Sequence, residues 1–292
     1  MLQTGSQKIV GNRPPGEPRR RRAPLVAALL VVAATVAACA PETSDYPAQG
    51  PPIAVAGLRL VTPGTLTVGT DLHHPAEDFL GSDGRPTGLS VDLAAAMART
   101  LGLGVRFVDD GFDRLLPDLT AGRFDVVVSH HVLSNPLTAT ASALPYLKGG
   151  LALVARPDEP FQPARFDQLC GHRVAVQAGS YAAERLAAEA SLCGSSPPLV
   201  HATTTDPEAL ADLVGGGAEV QVTDSIAAGW ESGHGPVVVP SGVIGAPNHV
   251  VLVRRDDSRV DLAVTAALGT LRSNGTYQYI IERIWKTNEV EL

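Results

Sequence analysis

A strand–helix rhythm that runs once, stops and starts again constrains this chain more than any other feature. Leu66-Thr67-Val68-Gly69-Thr70 alternates as a strand and leads into a polar loop, Asp71 to Thr87. Ser90 is placed to cap a helix in which Leu93, Met97 and Leu101 recur every fourth residue, ended by Gly102 and Gly104. Val105 to Val108 reads as the next strand, and Asp113 opens a short helix with Leu115, Leu116 and Leu119 inward, closed by Gly122. Asp125-Val126-Val127-Val128-Ser129 is then a β-branched run of the kind buried on both faces. The second block repeats the rhythm. Strands are expected from His172 to Gln177, Leu199 to Ala202 and Glu219 to Val222, with helices from Ser180 to Ala190, from Asp206-Pro207-Glu208, and up to Trp230. Two amphipathic helices around Asn274-Gly275 end the chain. Alternation of this kind predicts α/β lobes, each a mainly parallel sheet flanked by helices.

The first 55 residues belong to neither block. Arg19 to Arg22 precede an apolar run from Pro24 to Ala38, too short to span a bilayer but of signal-peptide length. It ends in Val36-Ala37-Ala38-Cys39, which resembles a bacterial lipobox and makes Cys39 the expected lipidation site. Residues 1–38 therefore read as a signal peptide, and 39–55, with Pro41, Pro47, Pro51 and Pro52, as a lipidated cysteine and flexible tether. The expected location is the outer face of the cell membrane, held by lipid. The leader holds Lys8, Arg13 and Arg19 to Arg22 against Glu17 alone, so the net charge of −7 becomes more negative without it. A body that acidic is a poor partner for nucleic acid. Export suits cysteine pairing. With Cys39 spent on lipid, Cys170 and Cys193 flank one strand–helix unit and are expected to form a disulfide.

From about Gly64 to Lys286 the sequence resembles the amino-acid-type extracellular solute-binding proteins. The resemblance rests on Val68-Gly69-Thr70-Asp71, Thr87-Gly88-Leu89-Ser90-Val91-Asp92-Leu93, Leu115-Leu116-Pro117-Asp118-Leu119 and Gly122-Arg123-Phe124-Asp125-Val126. It continues in Val174-Ala175-Val176-Gln177-Ala178-Gly179-Ser180, Val222-Thr223-Asp224-Ser225 and Leu271-Arg272-Ser273-Asn274-Gly275-Thr276-Tyr277. It implies a type II periplasmic-binding fold: two lobes, about 56–148 plus 247–292 and about 149–246, joined by two hinge crossings and closing over a ligand. It also implies a monomer that uses no cofactor and hands a small molecule to the membrane subunits of an ABC importer. No nucleophile–histidine–acid order or paired-carboxylate motif points to an enzyme.

By the same resemblance, Asp71 matches a cleft acid, His74 stands where an aromatic stacks on ligand, and Glu77 where a second aromatic packs. Phe112 matches another stacking aromatic, and Ser129 and His130 end the strand that reaches the cleft. Gln177, Ser180 and Tyr181 present an amide and a helix start from the second lobe, and Asp224 matches the acid that pairs with a ligand amine. One position departs sharply. Leu137 stands where the family carries an arginine whose two parallel hydrogen bonds hold an α-carboxylate. The expected ligand is therefore cationic or polar, with no carboxylate requirement. Two alternatives remain open: a sensor touching a membrane signalling partner, and metal binding through His73-His74 and His130-His131. Adjacent histidines on a strand face opposite ways, so one of each pair at most would ligate.

Overall fold

The computed structural model describes residues 51–53 and 57–287, so Cys39, the signal peptide and most of the tether lie outside the described residues. Ile53 already donates its N–H to the Thr100 carbonyl, so contact with the folded body begins before residue 55. Among the described residues no helix is long and apolar enough to cross a membrane.

The first block opens with β1 (Thr65–Thr70). The stretch expected as a polar loop instead folds into three short strands, β2 (His73–His74), β3 (Asp78–Leu80) and β4 (Pro86–Thr87), paired antiparallel. Strands of two and three residues carry too little alternation to stand out among Asp, Gly and Pro. Helix α1 (Leu89–Thr100) follows, and its cap differs from the expectation. Gly88 is the N-cap and Ser90 lies buried inside the first turn. The N–H groups of Leu89 and Ser90 are satisfied by the carbonyls of Ala76 and Glu77, so backbone does what a Ser90 hydroxyl was expected to do. Only glycine suits position 88: its φ is +116°, and a Cβ would lie 2.4 Å from the Glu77 carbonyl oxygen.

Next come β5 (Gly104–Asp109), α2 (Phe112–Thr120), β6 (Val126–Val132) and α3 (Asn135–Thr140), then two strands that the rhythm does not announce, β7 (Ala141–Lys148) and β8 (Leu151–Val154). The second block supplies β9 (Arg173–Gln177), α4 (Tyr181–Ala190), β10 (Leu199–Thr203), α5 (Asp206–Val214), β11 (Val220–Asp224) and α6 (Ser225–His234). The chain then returns through β12 (Asn248–Arg254) to α7 (Ser258–Ser273) and α8 (Thr276–Thr287).

Two sheets result. One has the order β5-β1-β6-β12-β7, the other β10-β9-β11-β8. Each is parallel where the sequence rhythm runs and antiparallel where β12, β7 and β8 join. Alternation explains the two-sided core of the first sheet. Val126, Val128, Val251 and Val253 face α1, α7 and α8, whereas Val127, Val250 and Leu252 face α2 with Phe112, Leu115 and Phe124. Leu153, Val174, Val176 and Val222 form the matching cluster of the second sheet with Leu186 of α4. Two segments cross between the sheets side by side: Gly149 donates to the Pro247 carbonyl, and Leu151 and Ile244 exchange both backbone bonds. Gly150 permits that approach, because a Cβ there would meet Val243 at 2.3 Å.

Cys170 and Cys193 are disulfide-bonded, 23 residues apart with Cα atoms 5.5 Å from each other. The bond ties the turn before β9 to the end of α4, as the strand–helix reading requires.

Candidate functional site

The carboxyl ends of β1 and β6 face those of β9 and β11, and the side chains just past those ends meet in the space between the sheets. Asp71 follows β1, His130 lies near the end of β6, Gln177 ends β9, and Asp224 ends β11. His74 projects from the small sheet. Three hydrogen bonds cross from one sheet system to the other. His74 Nε2 donates to Asp224 Oδ2 at 2.5 Å, His130 Nε2 meets Gln177 Oε1 at 3.0 Å, and the Gln177 amide donates to Asp71 Oδ2 at 3.2 Å. All five side chains are buried.

Asp224 fills two roles. Its Oδ1 caps α6, accepting from Ile226 N–H at 2.8 Å and Ala227 N–H at 2.9 Å, while Oδ2 takes the imidazole. Burial alone would raise its pKa, but the charge and hydrogen bond of His74, with His249 and the Ala227 N–H behind, hold it well below the usual carboxylate range. His74 is the counterpart. Burial disfavours its charged form, yet the Asp224 carboxylate, aided by Asp206 and Glu77, lifts it well above its ordinary value. The two therefore form a charged pair across the cleft.

Glu77 sits behind that pair, 0 % exposed. Its Oε1 lies 3.0 Å from His249 Nδ1 and its Oε2 3.6 Å from His74 Nε2. Burial lowers the His249 pKa, but the Glu77 carboxylate together with Asp224 raises it, and the net shift is upward. Asp78 accepts from Thr70 Oγ1 at 2.8 Å and from Ser129 Oγ, and burial pushes its carboxyl up to about 7 despite the opposing charge of His74.

An aromatic stack joins this polar centre to the apolar side. His74 lies over His130 at 3.7 Å between centroids, His130 over Phe112 at 4.2 Å, and Phe112 contacts His131 at 4.3 Å. Burial and the neighbouring His74 charge lower His130 to about 4; burial and His130 lower His131 to about 3. Both rings are neutral at pH 7.

Two cavities flank the stack. A cavity of about 20 Å³ is lined by His74, His130, Gln177, Ser180, Tyr181 and Asp224 and has room for about one water. The other, about 360 Å³, lies between α2, α3 and the start of α4, lined chiefly by Phe112, Leu116, His131, Leu137, Tyr181 and Glu184. Among the described residues, neither lining includes Arg or Lys.

Of the residues expected to meet ligand, the structure gathers Asp71, His74, Glu77, His130, Gln177 and Asp224, but mostly against one another. His74 stacks on His130 and pairs with Asp224, where stacking on a ligand was expected. Phe112 is buried against both imidazoles and the α2 core, so its face is spent on protein; part of it lines the larger cavity. Ser129 lies one layer back on Asp78. Ser180 caps α4, accepting from Ala183 N–H and donating to the Gln177 carbonyl, so its hydroxyl is used within its own lobe. Tyr181 lines both cavities. His249 escaped the sequence reading: it stands alone in an unassigned segment, and only the antiparallel β12 carries it to Glu77. Among the described residues, two groups bring three possible metal donors within 4.8 Å of one another: Asp71, His73 and Asp109, and the buried His74, Glu77 and Asp224.

Two α/β lobes, two side-by-side crossings and a polar cleft at the strand ends define a type II periplasmic-binding fold, and structural neighbours agree. An arginine-binding protein of T. maritima, in its P235GK mutant form, superposes with a TM-score of 0.71 at 28% identity, over 76% of this chain and 96% of that one. An ancestral amino acid-binding protein, precursor of cyclohexadienyl dehydratase, gives 0.70 at 27% identity, over 75% and 95%. The chain belongs to the bacterial extracellular solute-binding proteins, family 3, which it matches over residues 66–287. Curated relatives include the arginine-binding protein ArgT of Corynebacterium glutamicum, 27% identical over 77% of this chain and 75% of that protein. The L-cystine-binding protein TcyJ of Escherichia coli is 25% identical over 75% and 82%.

Proposed function

We propose that the protein is a lipid-anchored receptor of an ABC importer that captures a small solute with a cationic head and requires no α-carboxylate on it. The anchor would be Cys39 at the end of the leader, and the partners the importer's membrane subunits. The family and its arginine- and cystine-binding relatives support the role of receptor. Catalysis is not part of the reading, because the cleft imidazoles and carboxylates bond to one another.

One observation carries the choice of ligand: among the described residues no Arg or Lys lines either cleft cavity, whereas Asp206 and Asp224 line the smaller and Asp113 and Glu184 the larger. Leu137, where the family resemblance places a carboxylate-binding arginine, is buried in the apolar cluster with Phe112 and Val127. An aliphatic side chain offers a carboxylate no hydrogen bond, and desolvating that anion there would cost several kcal/mol, about 2–7 even for a neutral polar group. The larger cavity falls within the usual size range for small-molecule sites.

The test is a thermal-shift screen of the purified protein, in chelator, against amines, quaternary ammonium compounds and α-amino acids. A ligand at a hundredfold excess over its Kd adds about 2.7 kcal/mol. Stabilisation by amines or quaternary ammonium compounds is expected. Stabilisation by α-amino acids alone would overturn the assignment.

A further inference from the structure

The geometry points to a divalent transition-metal site formed by His74 Nε2, Glu77 Oε2 and Asp224 Oδ2, with ligands from both sides of the cleft. These donors lie within 4.8 Å of one another, and all three side chains are buried.

What distinguishes the group from an ordinary buried ion pair is how its carboxylates are held. Asp224 is fixed by hydrogen bonds through one oxygen, Glu77 is held by an ion pair on one oxygen, and each presents the other. Asp224 is anchored by Oδ1 on two N–H groups of α6, leaving Oδ2 toward His74. Glu77 has Oε1 in an ion pair with His249 at 3.0 Å, and neither of its oxygens receives a hydrogen bond; Oε2 lies 3.6 Å from His74 Nε2. A wholly buried carboxylate oxygen without a donor is costly unless a cation comes into contact with it, and the His74 ring at 3.6 Å lies beyond hydrogen-bond reach. Its carbon frame is held as well: the Glu77 carbonyl accepts from Ser90 at the start of α1, next to Ala76, which takes a positive φ of 72°. Partners placed behind ligating carboxylates in this way are the usual outer support of a metal site.

The donor set names the ion class. One imidazole and two carboxylates suit Zn²⁺, Co²⁺, Ni²⁺ or Mn²⁺, at about 2.0–2.2 Å for zinc. Seating a tetrahedral ion requires His74 Nε2 and Asp224 Oδ2 to part from 2.5 Å by roughly 1 Å, a local separation of the two sides. The ion then takes the imidazole lone pair, and the Nε2 proton leaves to solvent. A fourth position is at hand, since the 20 Å³ cavity that His74 and Asp224 line holds about one water. A site with ligands from both sides would hold the cleft shut. The second group, Asp71 with His73 and Asp109, is open to solvent at His73 and Asp109, carries no orphaned buried donor, and serves as the control.

The inference does not depend on the solute reading, because the metal titration uses no solute and the solute screen is run in chelator. The untagged protein, stripped of metal, is titrated with Zn²⁺ by calorimetry, and with Co²⁺ by visible absorption. The expected result is one Zn²⁺ per chain with a raised Tm and an intense, low-symmetry four-coordinate Co²⁺ spectrum. Glu77→Gln should weaken Zn²⁺ binding by about tenfold or more, and His73→Ala should leave it unchanged. Absence of binding, binding that Glu77→Gln does not alter, or loss on His73→Ala would overturn the site. So would the weak spectrum of octahedral Co²⁺ in the unmutated protein, which decides the matter even if Glu77→Gln does not fold.

Discussion

The two ends of the cleft solve opposite problems with the same scaffold. At the Asp224 end, an acid that would receive a ligand amine is met by the protein's own imidazole, and the remaining space is about 20 Å³. At the Leu137 end, an aliphatic side chain stands where the family resemblance places an arginine, and about 360 Å³ lies among Phe112, Leu116, His131 and Tyr181. One end is charged and filled, the other roomy and largely apolar apart from Asp113, His131 and Glu184. The difference lies in side chains rather than backbone, since both ends are built on strand carboxyl ends followed by helix starts. The Phe112–His130–His74 stack lies between them, and Val132 and Tyr181 line both cavities.

The comparison can be broken most strongly at the filled end. Asp224→Ala removes both the α6 cap and the partner of a buried imidazolium, and should cost about 3–5 kcal/mol in urea denaturation. A cost below about 1 kcal/mol would mean that the cleft pair is not formed in solution. At the roomy end, His131 offers a pH test. Its folded pKa, about 3, lies below the unfolded value near 6.5, so unfolding takes up a proton between those values. The stability of the wild type relative to His131→Gln should be fully present above pH 6.5. It should then decline by about 1.4 kcal/mol per pH unit as pH falls toward 4. A flat difference would show that His131 is hydrated. The smallest effect sharpens the comparison directly: Leu137→Arg restores a carboxylate partner and should raise affinity for arginine or lysine about tenfold, measured by calorimetry. No gain would mean that position 137 does not face the ligand.

Much of this fold was legible because its parallel strands declare themselves. Val126-Val127-Val128 reads as buried on both faces, and both faces are indeed covered. The antiparallel additions were not legible. Leu151 to Val154 is a short apolar run that fits strand or helix equally, and β12 continues a segment punctuated by Gly245 and Pro247. Asp224, His130 and Gln177 could be placed at the cleft because each lies at or near the end of a recognisable strand. The bonds they make to one another and to His74 and Asp71 were not legible, since a bond such as His74 to Asp224 spans 150 residues and depends on how two lobes meet. His249 shows the limit most clearly: it reaches Glu77 only through an unannounced strand. The Ser90 cap failed for a local reason, because the carbonyls of Ala76 and Glu77 satisfy the helix start first.

The central claim is that this receptor recognises its solute without a carboxylate clamp. A matched pair tests it most directly: calorimetric titration of the chelator-treated protein with arginine and with agmatine, its decarboxylated analogue. Agmatine binding at least as tightly as arginine is the predicted result. Arginine binding tenfold or more tightly than agmatine would contradict it and would place a carboxylate-binding group in the cleft after all.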